Sequence, residues 1–274
     1  VLSKDGIKTF FSVLGAAWLI FEISEYFKFI PKDSIPPAFI YILLAISLAV
    51  VIITRHPITK TSYKTKDKEL CIEVRIADIF DLKGDKIIST NTSFDTDVAN
   101  GIIAKDTLQG KFTEKNFGTN LNLLNTTIHN QLSHIAPQSF PKIAGNQSKY
   151  PMGTTVRVNV GQEIYYLMAM SEFDYNNNAS TTFDDVIVSI ESAFKFIDQQ
   201  GLMHDIVIPL IGKGRGRLTI NRKRLIARIA QTFIKASEPR KFTNKLTIVI
   251  YPKDAENFDI NLYEVRDLLN NYLP

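Results

Sequence analysis

The residues best suited to chemistry lie in Pro209–Leu218, PLIGKGRGRL. Gly212, Gly214 and Gly216 let successive backbone N–H groups converge, an arrangement that suits phosphate oxygens. Lys213, Arg215 and Arg217 add full positive charges at the same place. An apolar run precedes the segment and a helical pattern follows, so a helix N-terminus adds its partial charge. Without Gly-Lys-Ser/Thr at its end, the segment is not a Walker loop. A second group sits at the ends of two predicted strands. Asp78 closes the first, where open α/β sheets bind ligands and where a carboxylate accepts from an exocyclic amine. Asn91, Thr92, Ser93, Asp95 and Asp97 follow the second; they line the same rim or simply form turns. Asp95 and Asp97 are carboxylates that would suit an imidazolium.

Other chemistries find little support. His56, His129, His134 and His204 are scattered without metal-ligand spacing, so no metal and no cofactor is assigned. The single cysteine, Cys71, lies in an apolar strand-like run and reads as a buried thiol in a reducing compartment. The net charge of +4 is concentrated in Arg55–Lys68 and Lys213–Arg228, and no nucleic-acid motif accompanies either cluster.

Alternating hydrophobic patterns place strands over Glu69–Ile76, Lys86–Thr90, Thr154–Val160, Glu163–Met170, Asp205–Leu210 and Leu246–Tyr251. Helices are predicted over Val98–Leu108, Leu121–Ile135, a long segment from a capping box at Thr181–Asp185 to Gly201, Asn221–Ala236 and Leu262–Leu273. Strands alternating with helices imply an α/β sheet covered on both faces, and a hairpin at Gly161 makes it mixed.

The first fifty-odd residues differ. Ile35–Ile53 is about nineteen residues without a charge, close to the length that crosses a hydrocarbon core of about 30 Å. Ile7–Ile23 is a weaker second segment, and no small-residue cleavage site follows it. Spanning twice, the two form a hairpin over residues 1–55, with Gly15, Ala16 and Ala17 as a surface for close helix packing. Lys4, Lys8, Arg55, Lys60, Lys64, Lys66 and Lys68 outnumber Lys28 and Lys32 of the connection, so both ends face the cytoplasm of an inner membrane. Residues 56–68 read as a basic linker, with the soluble domain over 69–274.

The order of ADIF (Ala77–Phe80), IISTNTSFD (Ile87–Asp95), ANGIIAKD (Ala99–Asp106) and IPLIGKGRG (Ile208–Gly216) resembles a macrodomain. That resemblance implies a three-layer αβα sandwich and an ADP-ribose-type ligand. It places Asp78 and Ile79 at the adenine, and Ala99, Asn100 and Gly101 in a first ligand loop. Gly212–Gly216 becomes the diphosphate loop, Asn91 falls near the distal ribose with Ser93 beside it, and Tyr251 packs on the ligand. Ser89–Thr92 stands where the family carries Asn-Ala-Ala-Asn, and the first loop keeps only Asn100–Gly101 of a glycine run. Both departures favour binding over hydrolysis. A macrodomain behind two membrane helices also resembles the membrane effectors of Thoeris antiphage systems. That likeness implies a TIR enzyme as partner, histidine-ADP-ribose as signal, homo-oligomerisation, and damage to membrane lipid. A tethered ADP-ribosyl hydrolase and a recruitment module are the alternatives.

Overall fold

The computed structural model describes residues 4–29, 36, 38–54, 58–66, 69–211 and 221–274, and divides the chain into units Val1–Ile58 and Thr59–Pro274. In the first unit, α1 spans Lys4–Tyr26 and α2 spans Phe39–Thr54. Leu43, Ser47 and Val51 recur every fourth residue and form the buried stripe of α2. The Ser47 hydroxyl donates to the Leu43 carbonyl at 2.8 Å, which satisfies it inside the stripe. Phe21 meets Phe39 with ring centroids 4.9 Å apart. Elsewhere the helices turn large apolar side chains outward, Phe11, Ile20, Tyr41 and Ile53 among them.

Among the described residues one helix, over Gly6–Tyr26, has the length and composition to cross a membrane, a test that an anchor and a signal segment both pass. The 16 residues of α2 reach about 24 Å at about 1.5 Å each, short of a full core. Two spans are therefore not established. Gly15 has no atom within 4 Å of where a Cβ would stand, so it is not packed against α2.

The second unit is built on one sheet. Its strands are β1 (Lys60–Lys64), β2 (Cys71–Ile76), β3 (Asp85–Asn91), β6 (Thr155–Val160), β7 (Glu163–Phe173), β8 (Ala179–Ser180), β9 (Ile206–Pro209) and β10 (Lys245–Ile250). The order is β1-β2-β10-β9-β3-β7-β6, with β8 on β7. The pairs β2/β10, β10/β9, β9/β3 and β3/β7 are parallel; β1/β2 and β6/β7 are antiparallel. The hairpin expected at Gly161 is present, and Gly161 takes φ +59, which glycine adopts without strain. A second small ladder pairs β4 (Gln138–Ser139) with β5 (Ser148–Lys149).

The period-two side-chain rule sorts β7 onto two faces. Tyr165, Leu167 and Ala169 join Phe112 and Phe117 of α3 (Leu108–Phe117) and Leu124, Ile128 and Leu132 of α4 (Leu121–Leu132). Tyr166, on the opposite face, packs against Phe196 of α5 (Phe183–Gln200). There Phe194 meets Phe233 of α6 (Arg222–Ala236) and Phe242, and α7 (Leu262–Tyr272) completes the layer. The capping box of α5 forms between Thr182 and Asp185.

Two expectations are corrected. Val98–Leu108 is not a helix: it runs as turns, and α3 begins at Leu108 behind a Thr107 cap that accepts from Gly110 N–H at 3.0 Å. Val98 and Ile103 are buried against Phe173, and this packing holds the segment in turns. Part of the expected linker is β1, an edge strand whose polar faces hide its sheet character in the sequence. Phe194→Ala should cost about 3–5 kcal/mol, because it empties the junction of three rings. Thermal unfolding of the full chain in detergent reads this as a lowered midpoint for the second unit.

Candidate functional site

The carboxyl ends of β2, β10, β9, β3 and β7 open on one edge of the sheet, and a cleft of about 1740 Å³ runs along it. Crossing from β2 to β7 takes four strand spacings of about 4.8 Å, or about 19 Å. Each strand delivers its own residues to the cleft: Asp78 and Ile79 after β2, Tyr251 after β10, Leu210 and Ile211 after β9, Asn91 at the end of β3, and Ser171 and Phe173 on β7.

Asp78 caps a short 3-10 turn over Ile79–Asp81, and its Oδ1 accepts from Phe80 N–H at 3.0 Å. Carboxylate lone pairs remain for a further donor. Ile79 is buried beneath it and joins the core as well as the cleft wall. Asn91 is 1% exposed; its Oδ1 accepts from the N–H groups of Ser93 (3.0 Å) and Asp95 (3.3 Å). These two bonds fix the amide, and its Nδ2 is buried with no partner among the described residues. A bulge between Thr90 and Asn91 reorients the strand end at this point. The Thr90 hydroxyl is likewise buried and unpartnered.

Asn100 and Gly101 also line the cleft; Gly101 takes φ +78 and Asn100 Nδ2 donates to Asp97 Oδ2 at 2.6 Å. That side-chain bond, with the Asn100 N–H, holds the Asp97 carboxyl below its ordinary range. Tyr251 is half-exposed, and Lys111 of α3 sets its Nζ 4.6 Å from the ring centroid. Gly212–Arg217 lie outside the described residues, although Leu210 and Ile211, which lead into them, line the cleft.

Some of the expected residues stand elsewhere. Ser93 is 2% exposed and faces the turn, its carbonyl accepting from Asn146 Nδ2 at 2.9 Å; Ala99 is exposed outside the cleft lining. Asp95 is not open to an imidazolium. It is buried, paired with Lys142 Nζ at 2.5 Å, and accepts from Asn146 N–H at 2.7 Å. Gly145, at φ +86, leaves room for this pair, since a Cβ there would stand 2.3 Å from Asp95 Oδ1. Among the described residues no group of three or more His, Cys, Asp or Glu could hold a metal ion.

The connection from β7 to β8 had no counterpart in the sequence reading. Asp174 and Asn176–Asn178 form part of the cleft wall. Asp174 accepts from Asn178 Nδ2 (2.9 Å), Asn178 N–H (2.8 Å) and Asn176 N–H (2.8 Å). These bonds, the Asn178 side chain first, hold its carboxyl below the ordinary 3.8. The run DYNNNAS reads as turn formers, and nothing local marks it as part of a ligand wall.

A mixed sheet between two helical layers, with a cleft across its parallel strand ends, is the architecture that the sequence resemblance to a macrodomain implies. Residues 72–251 match the family model described as Thoeris protein ThsA, Macro domain, and the chain belongs to that family. It is 25% identical over 214 residues to the Thoeris protein ThsA of Bacillus amyloliquefaciens (strain Y2), covering 74% of this chain and 69% of that one. Among solved structures, the Oceanobacillus iheyensis macrodomain with ADP is 14% identical, covering 76% of this chain and 98% of its own, at a TM-score of 0.48. The same macrodomain with MES bound is 14% identical over 78% of this chain and 97% of its own, at 0.47.

Two outcomes test the site. Lys142→Met leaves the Asp95 carboxylate buried without its cation and should lower stability by about 3–5 kcal/mol in chemical denaturation. A carboxyl with a depressed folded pKa contributes stability above its ordinary pKa and loses it as pH falls through the folded value. The Asn176–Asn178 amide signals should therefore shift with a midpoint below 3.8 in an NMR titration. A midpoint at or above that value contradicts the Asp174 network.

Proposed function

We propose that this chain is the membrane-anchored receptor and effector of a Thoeris-type antiphage system. Its macrodomain binds an ADP-ribose-derived signal, histidine-ADP-ribose, released by a TIR enzyme that consumes NAD. Binding favours self-assembly on the cytoplasmic side of the inner membrane, and the clustered helices disrupt the lipid bilayer. The observation that carries this reading is a cleft that crosses the ends of β2, β10, β9, β3 and β7, four strand spacings or about 19 Å, in a member of this family.

The chemistry of the wall supports an ADP-ribose skeleton. Asp78 supplies acceptor capacity for an adenine amino group, with apolar Ile79 beside it. The glycine amides and cations of Gly212–Arg217 take the diphosphate. The unpartnered Asn91 Nδ2 offers a donor to a sugar oxygen, and Tyr251 offers a face for packing. Asn100 and Gly101 close the cleft on the side of α3.

Binding without turnover is the proposed outcome, since Ser89–Thr92 stands in place of an Asn-Ala-Ala-Asn run and the first loop keeps only Asn100–Gly101 of a glycine run. The membrane role draws support from α1, long and apolar enough to span, and from exposed apolar side chains on both α1 and α2. A ligand shifts an assembly equilibrium only by as much as it prefers the assembled state. The signal must therefore bind that state more tightly.

The test uses the full chain in detergent, mixed with ADP-ribose or histidine-ADP-ribose, following heat of binding, product and particle size together. Binding with particle growth and no product is expected. Product formation would turn the reading toward a hydrolase, and binding without growth toward a recruitment module. Arg215→Glu should weaken binding of either ligand at least about tenfold through charge reversal beside the diphosphate. Unchanged affinity removes that loop from the site.

A further inference from the structure

The end of the cleft opposite Asp78 is walled by the β7–β8 connection, and this wall is organised in a way its turn role does not require. The segment Asp174–Asn178 is closed by its own backbone: Asp174 N–H donates to the Asn178 carbonyl and Asn177 N–H to the Asp174 carbonyl, both at 3.0 Å. It is also tied to the neighbouring loop, where Ile143 N–H donates to the Tyr175 carbonyl at 2.9 Å. Asn177 sits at its tip with φ +62, a left-handed conformation that asparagine tolerates better than most residues.

The Asn177 side chain has a fixed polarity. Its Nδ2 donates to the Ala144 carbonyl at 3.2 Å, which fixes Oδ1 on the other side of the amide. That oxygen is buried and has no partner among the described residues. The Thr181 hydroxyl, four residues on, is in the same condition. Both residues line the cleft, as does Asp174. Buried polar atoms are nearly always paired, so unpartnered ones on a ligand wall point to partners that a ligand brings. The amide oxygen only accepts, and the Thr181 hydroxyl can accept as well as donate, so a donor is the one group that satisfies both.

We infer that Asn177 and Thr181 form a specificity subsite that reads an N–H or O–H donor carried by a substituent on the ligand's terminal sugar. This rests on the ADP-ribose reading given above and extends it. The skeleton is held by the strand ends, whereas the β7–β8 wall separates a substituted signal from plain ADP-ribose. Both atoms are closed off from solvent, so the entering group must displace what covers them. A substituent without a donor meets a buried oxygen it cannot satisfy, and such mismatches discriminate strongly.

The experiment compares ADP-ribose and histidine-ADP-ribose by calorimetry on the full chain in detergent, for the wild type and for Asn177→Ala, Thr181→Val and Thr181→Ser. The wild type should prefer the substituted ligand. Asn177→Ala and Thr181→Val should each reduce that preference about tenfold while ADP-ribose affinity stays unchanged, which also reports an intact fold. Thr181→Ser, which keeps the hydroxyl, should retain the preference. Equal losses for both ligands would mean that the wall only shapes the cleft, and would overturn the subsite. So would unchanged preference in all variants, or a wild type that does not distinguish the two ligands while binding both. A wild type that binds neither ligand overturns the ADP-ribose reading itself, and the subsite with it.

Discussion

One buried carboxylate, Asp95, joins the loops that bound the cleft. Its side chain takes Lys142 and the Asn146 N–H from the segment around β4 and β5. Its carbonyl accepts from Gln109 Nε2 of α3 at 2.6 Å, and its N–H donates to the Asn91 amide at the end of β3. The end of β3, the start of α3 and a loop 51 residues further along the chain are thus referenced to one residue. Burying an ion pair carries a large desolvation cost, so such a pair adds little net stability compared with an apolar core. Its consequence is geometric: the loops cannot drift apart without exposing a charge to an apolar interior.

The two ends of the central strands differ in the same terms. At the amino ends, Asp85 and Lys86 are buried, and both are compensated. Lys86 Nζ meets Glu163 at 2.7 Å, while Asp85 pairs with His204 Nδ1 at 2.9 Å and accepts from the Tyr166 hydroxyl at 3.3 Å. Burial, together with the neighbouring carboxylate, pushes both Tyr165 and Tyr166 hydroxyls well above the ordinary tyrosine range. At the carboxyl ends, Thr90 and Asn91 keep buried polar atoms unpartnered. A fold that satisfies its polar groups at one edge and leaves them unmet at the other has separated stability from binding along the length of its strands.

Binding energy at such an edge can be passed on only through a change in what the macrodomain touches. Its framework is rigid by construction: β3 and β7 are buried along their length, and the ring cluster of Phe194, Phe233 and Phe242 fastens α5 to α6. The parts able to respond are therefore the loops at the cleft rim, where contacts are fewer and side chains more exposed.

Much of this was legible in the residues themselves. Local spacing determined the strands and most helices, because period-two and period-3.6 patterns are set by where a side chain points along each element. The same logic marked Asp78, Asn91 and Tyr251 as strand-end residues, and strand ends in an α/β sheet converge on one edge. Tertiary structure decided the rest. The turns of Val98–Leu108 follow from burial of Val98 and Ile103 against Phe173, a contact across seventy residues of chain that overrides helical spacing. Asp95 reads as an exposed turn former until Lys142 is folded onto it. The β7–β8 wall is polar throughout and carries no periodicity, so its place in the cleft exists only once β7 has been laid beside β3. Sequence fixes the direction a side chain takes from its own element; which distant group it meets depends on packing that no short window of residues contains.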